Sequence, residues 1–333
     1  MITNIQNKKI AVVANMSAGK STFLNALFGD SVLPAYSHAT TDCPVYIYSD
    51  DNPDNDMAII EFLDDKPAIT LEKDKVKKEL NFYAQKDNDE IDQKYKNVKK
   101  IDLYWDFHVL QNSHKYSTNF VIIDTPGPNN TDQHAIKNRN TTKDIILNEA
   151  DMLLYIFDYG QIDANLNATN DNIWGFIQKR KEKDPCFEVL FIVNKIDKAI
   201  EDNKNLPEIK MASSEKEYYN KLASNWMYYE KIAINKIKNS AKKFGFKNPR
   251  VFGISSIYVE YNRNKNNLGF FQKKEFDNFI QYFQSVFNDK WNSKFHEYLG
   301  YRKIESTLTK HLTKNSKKSL FIKKSKRNIK KRK

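Results

Sequence analysis

Cysteine is nearly absent from this 333-residue chain, which has only Cys43 and Cys186. Two are too few for a disulfide framework or a zinc cluster and fit a reducing compartment. Both read as small buried apolar residues. Long apolar runs are missing too: no stretch approaches the ~18 apolar residues of a membrane span, and Ile10 to Ala14 is too short for the core of a signal peptide. The expectation is a soluble, cytoplasmic chain. Clustered histidine is the third absence. His38, His108, His114, His134, His296 and His311 are scattered without metal-ligand spacing, and His134 reads as a surface residue.

What is present is a globular composition, 40% hydrophobic with 21 Phe and 18 Tyr. The length suits one large α/β domain or a domain with a small appendage. A net charge of +12 suggests nucleic acid or membrane until its position is considered. Residues 313–333 hold eleven Lys or Arg and no acid, which leaves about +1 for the other 312 residues. The body is electrically ordinary. The tail reads as a solvated, disordered end, as a segment for anionic lipid headgroups with Leu320, Phe321 and Ile322 inserting weakly, or as a non-specific nucleic-acid contact.

Four motifs follow in order, each after an apolar strand. Lys9 to Ala14 runs into Asn15, Met16, Ser17, Ala18, Gly19, Lys20, Ser21 and Thr22, and then Phe23, Leu24, Leu27 and Phe28 at helical spacing, with Gly29 as a stop. This matches most of G-x-x-x-x-G-K-[ST], in which backbone N–H groups and a helix N-terminus surround phosphates. Lys20 would reach the β and γ groups and the Ser21 hydroxyl would bind Mg²⁺. Ala14 replaces the first glycine, at a cost of roughly 1 kcal/mol if the site needs φ > 0. The second motif lies 104 residues beyond Lys20, where Asn119 to Ile123 ends in Asp124-Thr125-Pro126-Gly127. Asp124 would hold Mg²⁺ through water, and the Gly127 N–H would meet the γ-phosphate. Alone, the motif is also an ordinary turn.

The third motif selects the base. Phe187 to Val193 delivers Asn194-Lys195-Ile196-Asp197. The Asp197 carboxylate can accept the N1–H and N2–H₂ groups of guanine, whereas adenine would leave it unpaired. Lys195 would lay its stem along the base, and Asn194 would tie the base loop to the phosphate loop. Fourth, Pro249 to Ile254 leads to Ser255 and Ser256, whose N–H groups are candidates for guanine O6. Four motifs at the carboxyl ends of strands stand where α/β sheets bind ligands.

Met16 to Thr22 with its Ser17, Leu33-Pro34 followed by Ala39-Thr40-Thr41-Asp42-Cys43-Pro44, and Asp124 to Asn130 resemble bacterial dynamin-like GTPases over about residues 8–312. The resemblance implies a P-loop NTPase fold, a doubly wound, mostly parallel α/β sheet flanked by helices. It implies a dynamin-type G domain over 1–312, with an insertion at about 50–118 and closing helices at about 273–312, followed by the basic tail 313–333. It makes Thr41 the switch threonine, a ligand of Mg²⁺ beside Ser21 and Asp124, with Thr40 as fallback. It implies hydrolysis of GTP in a homodimer joined at the nucleotide faces, with Ser17, Lys20 and Thr41 as catalytic residues. Met16 departs from the family, since eukaryotic dynamins carry a water-positioning glutamine there, and turnover is expected to be slow. A non-catalytic GTP-binding switch and a nucleic-acid-associated GTPase are the competing readings.

Little chain remains for a stalk, so the reading is a G domain with little or none, or a truncated form of a longer protein. Within 50–118, a Lys- and Glu-rich helix and an alternating strand with Ile101, Leu103, Trp105 and Phe107 are expected. Ser214 with Glu217 makes a capping box opening a helix towards Lys243, and Phe276, Phe279, Ile280, Phe283, Val286 and Phe287 mark an amphipathic helix packed on the core.

Overall fold

The computed structural model describes residues 8–15, 17–34, 42–49, 53–84, 95–105, 120–127, 133–166, 172–199, 205–288, 293, 295 and 301–311. The strands among them are β1 Lys8–Ala14, β2 Val45–Ser49, β3 Met57–Phe62, β4 Ile69–Glu72, β5 Val98–Trp105, β6 Phe120–Asp124, β7 Met152–Asp158, β8 Glu188–Asn194 and β9 Arg250–Gly253. They form one sheet in the order β4-β3-β5-β2-β6-β1-β7-β8-β9. The apolar runs form the centre of that sheet because a strand covered on both faces needs no polar alternation. β6 and β7 are buried at every position. Five neighbouring pairs are parallel, and three, all involving β2 or β3, are antiparallel.

The larger helices are α1 Lys20–Phe28, α2 Lys73–Ala84, α3 Gln133–Asp144, α4 Ile173–Lys183, α5 Glu215–Lys243, α6 Ser256–Arg263 and α7 Phe270–Phe287, with a further helix at 301–311. They cover both faces. Val12, Ile122, Leu154 and Ile192 point to one core with Phe23, Leu27 and Phe283; Val13, Ile123, Phe157 and Phe191 point to the other with Trp174, Phe176 and Ile237. This alternation of strand residues between two apolar layers is the mark of a doubly wound sheet. The chain leaves β1 towards β6 on one side and β7 on the other, so β1 is where the strand order reverses.

β3, β4, α2 and β5 extend the sheet beyond β2, and Ile101, Leu103 and Trp105 turn inward as their alternation predicts. Phe107 lies outside the described residues. This edge is fastened to the exit of α1, where Asp30 accepts the Trp105 indole N–H at 3.2 Å and the Lys77 ammonium at 2.7 Å. Phe276, Phe283, Val286 and Phe287 of α7 are buried, and Phe279 and Ile280 are partly buried against the same core.

Three expectations need correction. Cys186 is exposed; β8 begins only at Glu188, and Cys186 sits in the preceding turn with its N–H donating to Asp184 Oδ1 at 3.1 Å, so nothing encloses its thiol. The α5 cap is half a capping box. Ser214 Oγ accepts the Glu217 N–H at 3.2 Å, but the Glu217 carboxylate reaches back to Ser213, taking its N–H at 2.8 Å, instead of to Ser214. Ala14 incurs no backbone penalty, because it closes β1 in extended conformation, and the left-handed residues of this loop among the described residues are Ser17, at φ 61°, and Gly19, at φ 81°.

Candidate nucleotide site

Parallel pairing puts the ends of β6, β1, β7 and β8 along one edge. The register sets Val12 against Asp124, Ala14 against Ile156, and Asp158 against Asn194. The residues that follow these positions form the site.

The phosphate loop leaves β1 at Asn15, which is buried and accepts the Tyr155 hydroxyl at 3.5 Å. Burial pushes Tyr155 well above the usual phenol range, so it remains a donor. The Ala18 N–H closes a turn onto the Asn15 carbonyl at 3.2 Å. Gly19 has φ 81°, and a Cβ there would lie 2.6 Å from Asn194 Nδ2. Glycine is therefore required twice, for its backbone angle and for its missing side chain. α1 begins at Lys20, with Ser21 and Thr22 in its first turn.

Lys20 and Asp124 are brought together across 104 residues as an ion pair whose side chains are 11% and 1% exposed. The Asp124 loop is pinned on both sides. Thr125 Oγ1 donates to the Val12 carbonyl at 2.8 Å, and Thr142 Oγ1 of α3 donates to the Pro126 carbonyl at 2.9 Å. Gly127 follows, half-buried. One turn before Thr142 on α3, buried Asn138 donates to Asp42 at 2.7 Å.

Asn194 joins three loops. Its Nδ2 donates to the Ala18 carbonyl at 2.8 Å and its Oδ1 accepts the Ser256 N–H at 3.0 Å. The expected link between base loop and phosphate loop is therefore present. The same contact corrects one assignment: the Ser256 N–H is engaged by Asn194 and does not face a base. The Ser255 hydroxyl donates to Asp197 Oδ1, so this serine orients that carboxylate through its side chain. Lys195, at φ 60°, donates to the Ser17 carbonyl and to Asp158 Oδ2, the latter at 2.7 Å.

Asp158 is absent from the sequence assignments, although Met152 to Phe157 running into an acid repeats the pattern of Asp124 and Asn194. Tyr301, in helix 301–311, was equally missed. Its hydroxyl donates to the Phe23 carbonyl at 2.9 Å and lies 3.2 Å from Ser256 Oγ, tying that helix to α1 and to the serine loop. Met16, Thr40, Thr41, the His134 side chain and residues 312–333 lie outside the described residues.

A family model for the dynamin family matches residues 10–196. The chain belongs to the dynamin family. This is a family of P-loop GTPases, and the sheet described above is a dynamin-type G domain with its added edge between β2 and the Asp124 motif. Dynamin-like protein A of Bacillus subtilis is 30% identical over 193 residues, which are 57% of this chain and 13% of that protein. Among solved structures, two chains of an oligomerised bacterial dynamin pair, described as sensing and tethering membranes at long range, align over 99% of this chain. They do so at 15% and 16% identity with TM-scores of 0.46 and 0.44, covering 45% and 44% of their own length. An Aquifex aeolicus Era variant bound to GDP and tetrafluoroaluminate aligns over 74% of this chain and 50% of its own, with 15% identity and a TM-score of 0.34. The chain thus spans about an eighth of the curated relative and under half of the bacterial dynamin chains.

Proposed function

We propose that this chain binds GTP with Mg²⁺ and hydrolyses it to GDP and phosphate, two copies pairing nucleotide face to nucleotide face. The observation that carries the reading is the convergence of Lys20, Asp124, Asn194 and Asp197 on one edge of the sheet from positions up to 177 residues apart. A cation partner for phosphate, a buried carboxylate, a loop-joining amide and a base-reading carboxylate meet there as GTP requires.

The donor set suits Mg²⁺: the Ser21 hydroxyl and the buried Asp124 carboxylate are hard oxygen donors, few enough that phosphate oxygens and water complete the shell. Thr41 is the third proposed ligand. When bound, the ion would neutralise charge on the phosphates. Lys20 would serve the β and γ groups, the Gly127 N–H would report the γ-phosphate, and the N–H groups of Gly19 to Thr22 would surround the β-phosphate, the Ala18 N–H being held by Asn15. Ser17, Lys20 and Thr41 are the proposed catalytic residues, with the partner copy completing each site because Met16 cannot orient water. Asp197 would read guanine, oriented by Ser255, whose N–H remains the candidate for O6.

No helix among the described residues is long and apolar enough to cross a membrane. We place the protein in the cytoplasm as one G domain over 1–312, with the basic tail 313–333 as its contact with an anionic membrane surface and nucleic acid as the lesser partner.

Single-turnover hydrolysis against a Lys20→Ala control tests the reading. Phosphate release should exceed the control and rise with protein concentration as pairs form. Release no greater than the control at every concentration rejects catalysis. Asp197→Asn should move preference from guanine to xanthine nucleotides, since the amide can donate where the carboxylate accepted.

A further inference from the structure

Asp158 ends β7 with its side chain 4% exposed, in register with Asn194. Its two oxygens are both occupied. Oδ1 accepts the Gly160 N–H at 2.8 Å, which fixes the carboxylate to its own turn, and Oδ2 accepts the Lys195 ammonium at 2.7 Å. The same ammonium donates to the Ser17 carbonyl in the phosphate loop. Both residues it joins have left-handed backbones, Lys195 at φ 60° and Ser17 at φ 61°. A non-glycine residue adopts that conformation at a cost and holds it only where its surroundings enforce it. One ammonium therefore staples the base loop to the phosphate loop at the strained residue of each. Asp158 supplies the opposite charge that keeps it there.

We propose that Asp158 is a positioning residue for the guanine nucleotide, acting through Lys195 to hold the base-flanking stem and the Ser17 turn in binding geometry. The proposal rests on the guanine-nucleotide reading above. With the carboxylate removed, the ammonium, carried on a side chain 28% exposed, is free to turn to bulk water. The Ser17 carbonyl then loses its donor, and the Lys195 stem loses the anchor that aligns it with the base. GTP and GDP share the base and the β-phosphate, so both should be lost alike. The Lys20 and Asp124 groups that serve the γ-phosphate do not touch Asp158, so the defect should show in nucleotide dissociation and in KM, with any fall in kcat limited to what the loosened Ser17 turn contributes.

The test is a cycle of Asp158→Asn, Lys195→Met and the double variant, read by stopped-flow dissociation of a fluorescent GDP and by steady-state GTP hydrolysis. Each single change should speed GDP dissociation about tenfold and raise KM in proportion. The double variant should be no worse than Lys195→Met alone, because the carboxylate acts only through the ammonium. GDP dissociation within about twofold of the parent in Asp158→Asn, or effects that multiply in full in the double variant, overturns the proposal. If the asparagine variant does not fold, Asp158→Ser keeps an acceptor for the Gly160 N–H while removing the charge, and the same two outcomes decide. Asp197→Asn serves as the reference arm. Unchanged guanine preference there rejects the guanine reading and this proposal with it. A gain of xanthine binding alongside an unaltered Asp158→Asn rejects the proposal alone.

Discussion

The two ends of α1, a helix of nine residues, are built on opposite plans. At the N-terminus Gly19 is the cap residue, no side chain caps it, and the first turn contains no acid. Its backbone N–H groups and the positive end of the helix dipole are thus directed at the mouth of the site, where phosphate is favoured and a carboxylate cap would repel it. At the C-terminus almost everything is satisfied from within the protein. Gly29 adopts φ 78° and returns its N–H to the Asn25 carbonyl at 2.9 Å. The buried Asn25 side chain accepts from Val32 and Leu33 N–H groups at 3.2 and 2.9 Å and donates to the Leu33 carbonyl at 2.9 Å. Arg263 brings a guanidinium to the Ala26 carbonyl, at the negative end of the dipole, and is itself held by Glu305 at 2.6 Å. Helix ends leave four backbone groups each without intrahelical partners. In α1 the protein closes one set with its own side chains and turns the other towards a ligand.

The sharpest way to break this contrast is Gly19→Ala. The substitution forces a side chain into a left-handed position and sets a methyl carbon 2.6 Å from the Asn194 amide that joins the loops. Nucleotide affinity should fall by at least about 100-fold in a titration with fluorescent GTP. The chain should still fold, since the clash is confined to the loop edge. Affinity within about threefold of the parent would show that the N-terminal end tolerates a cap geometry other than the one described.

Changing the other end should do the reverse. Arg263→Met keeps the apolar stem over the Tyr301 ring, where the guanidinium carbon sits 5.0 Å from the centroid, but removes the donors to α1 and leaves Glu305 without this partner. A loss of about 2 kcal/mol is expected from breaking one partly buried charged network. For a chain of this size that is roughly 4 °C in melting temperature. Nucleotide affinity of the folded fraction should change little. If affinity fell as far as in Gly19→Ala while melting was unchanged, the division between the two ends would be wrong.

The same division explains what could be read in advance. The meeting of Lys20, Asp124, Asn194 and Asp197 was legible because each lies just beyond an apolar strand, and parallel register gathers the ends of those strands on one edge. Arg263, Tyr301 and Asp158 were not, because each acts across 237, 278 or 37 residues on a partner that only the register of the sheet brings near. Lys195 was assigned a base-stacking stem from its motif, but its second role depends on where β7 ends. Ala14 shows the limit of reading a motif by position: the missing glycine suggested strain in β1, whereas the left-handed turn falls at Ser17. The Ser256 N–H was assigned to the base because motif order says nothing of which donor a neighbouring amide will take first. Cys186 was misread because composition cannot tell a turn from the strand two residues on.

The C-terminal end also has one imperfect element, which provides the smallest test. Glu260 of α6 is 9% exposed, accepts the Ser31 hydroxyl at 2.6 Å, and lies near Asp30. Burial raises its pKa above the ordinary carboxyl value, and Asp30 adds to the rise against the opposing hydrogen bonds from Ser31 and Asn25. A carboxyl whose folded pKa exceeds its unfolded one is bound by protons more readily in the folded state. The folded state is therefore penalised above the raised pKa, where the group is ionised in both states, and the penalty disappears as pH falls below the unfolded value. Glu260→Gln removes the charge and keeps an oxygen for Ser31. Melting temperature at pH 7 should rise by roughly 1 °C. The gain should shrink on acidification and vanish below the unfolded carboxyl range, where glutamic acid and glutamine present the same uncharged oxygen. A variant less stable than the parent at pH 7 would mean that the ionised carboxylate is held favourably, and that even this residue is fully accommodated at the closed end of α1.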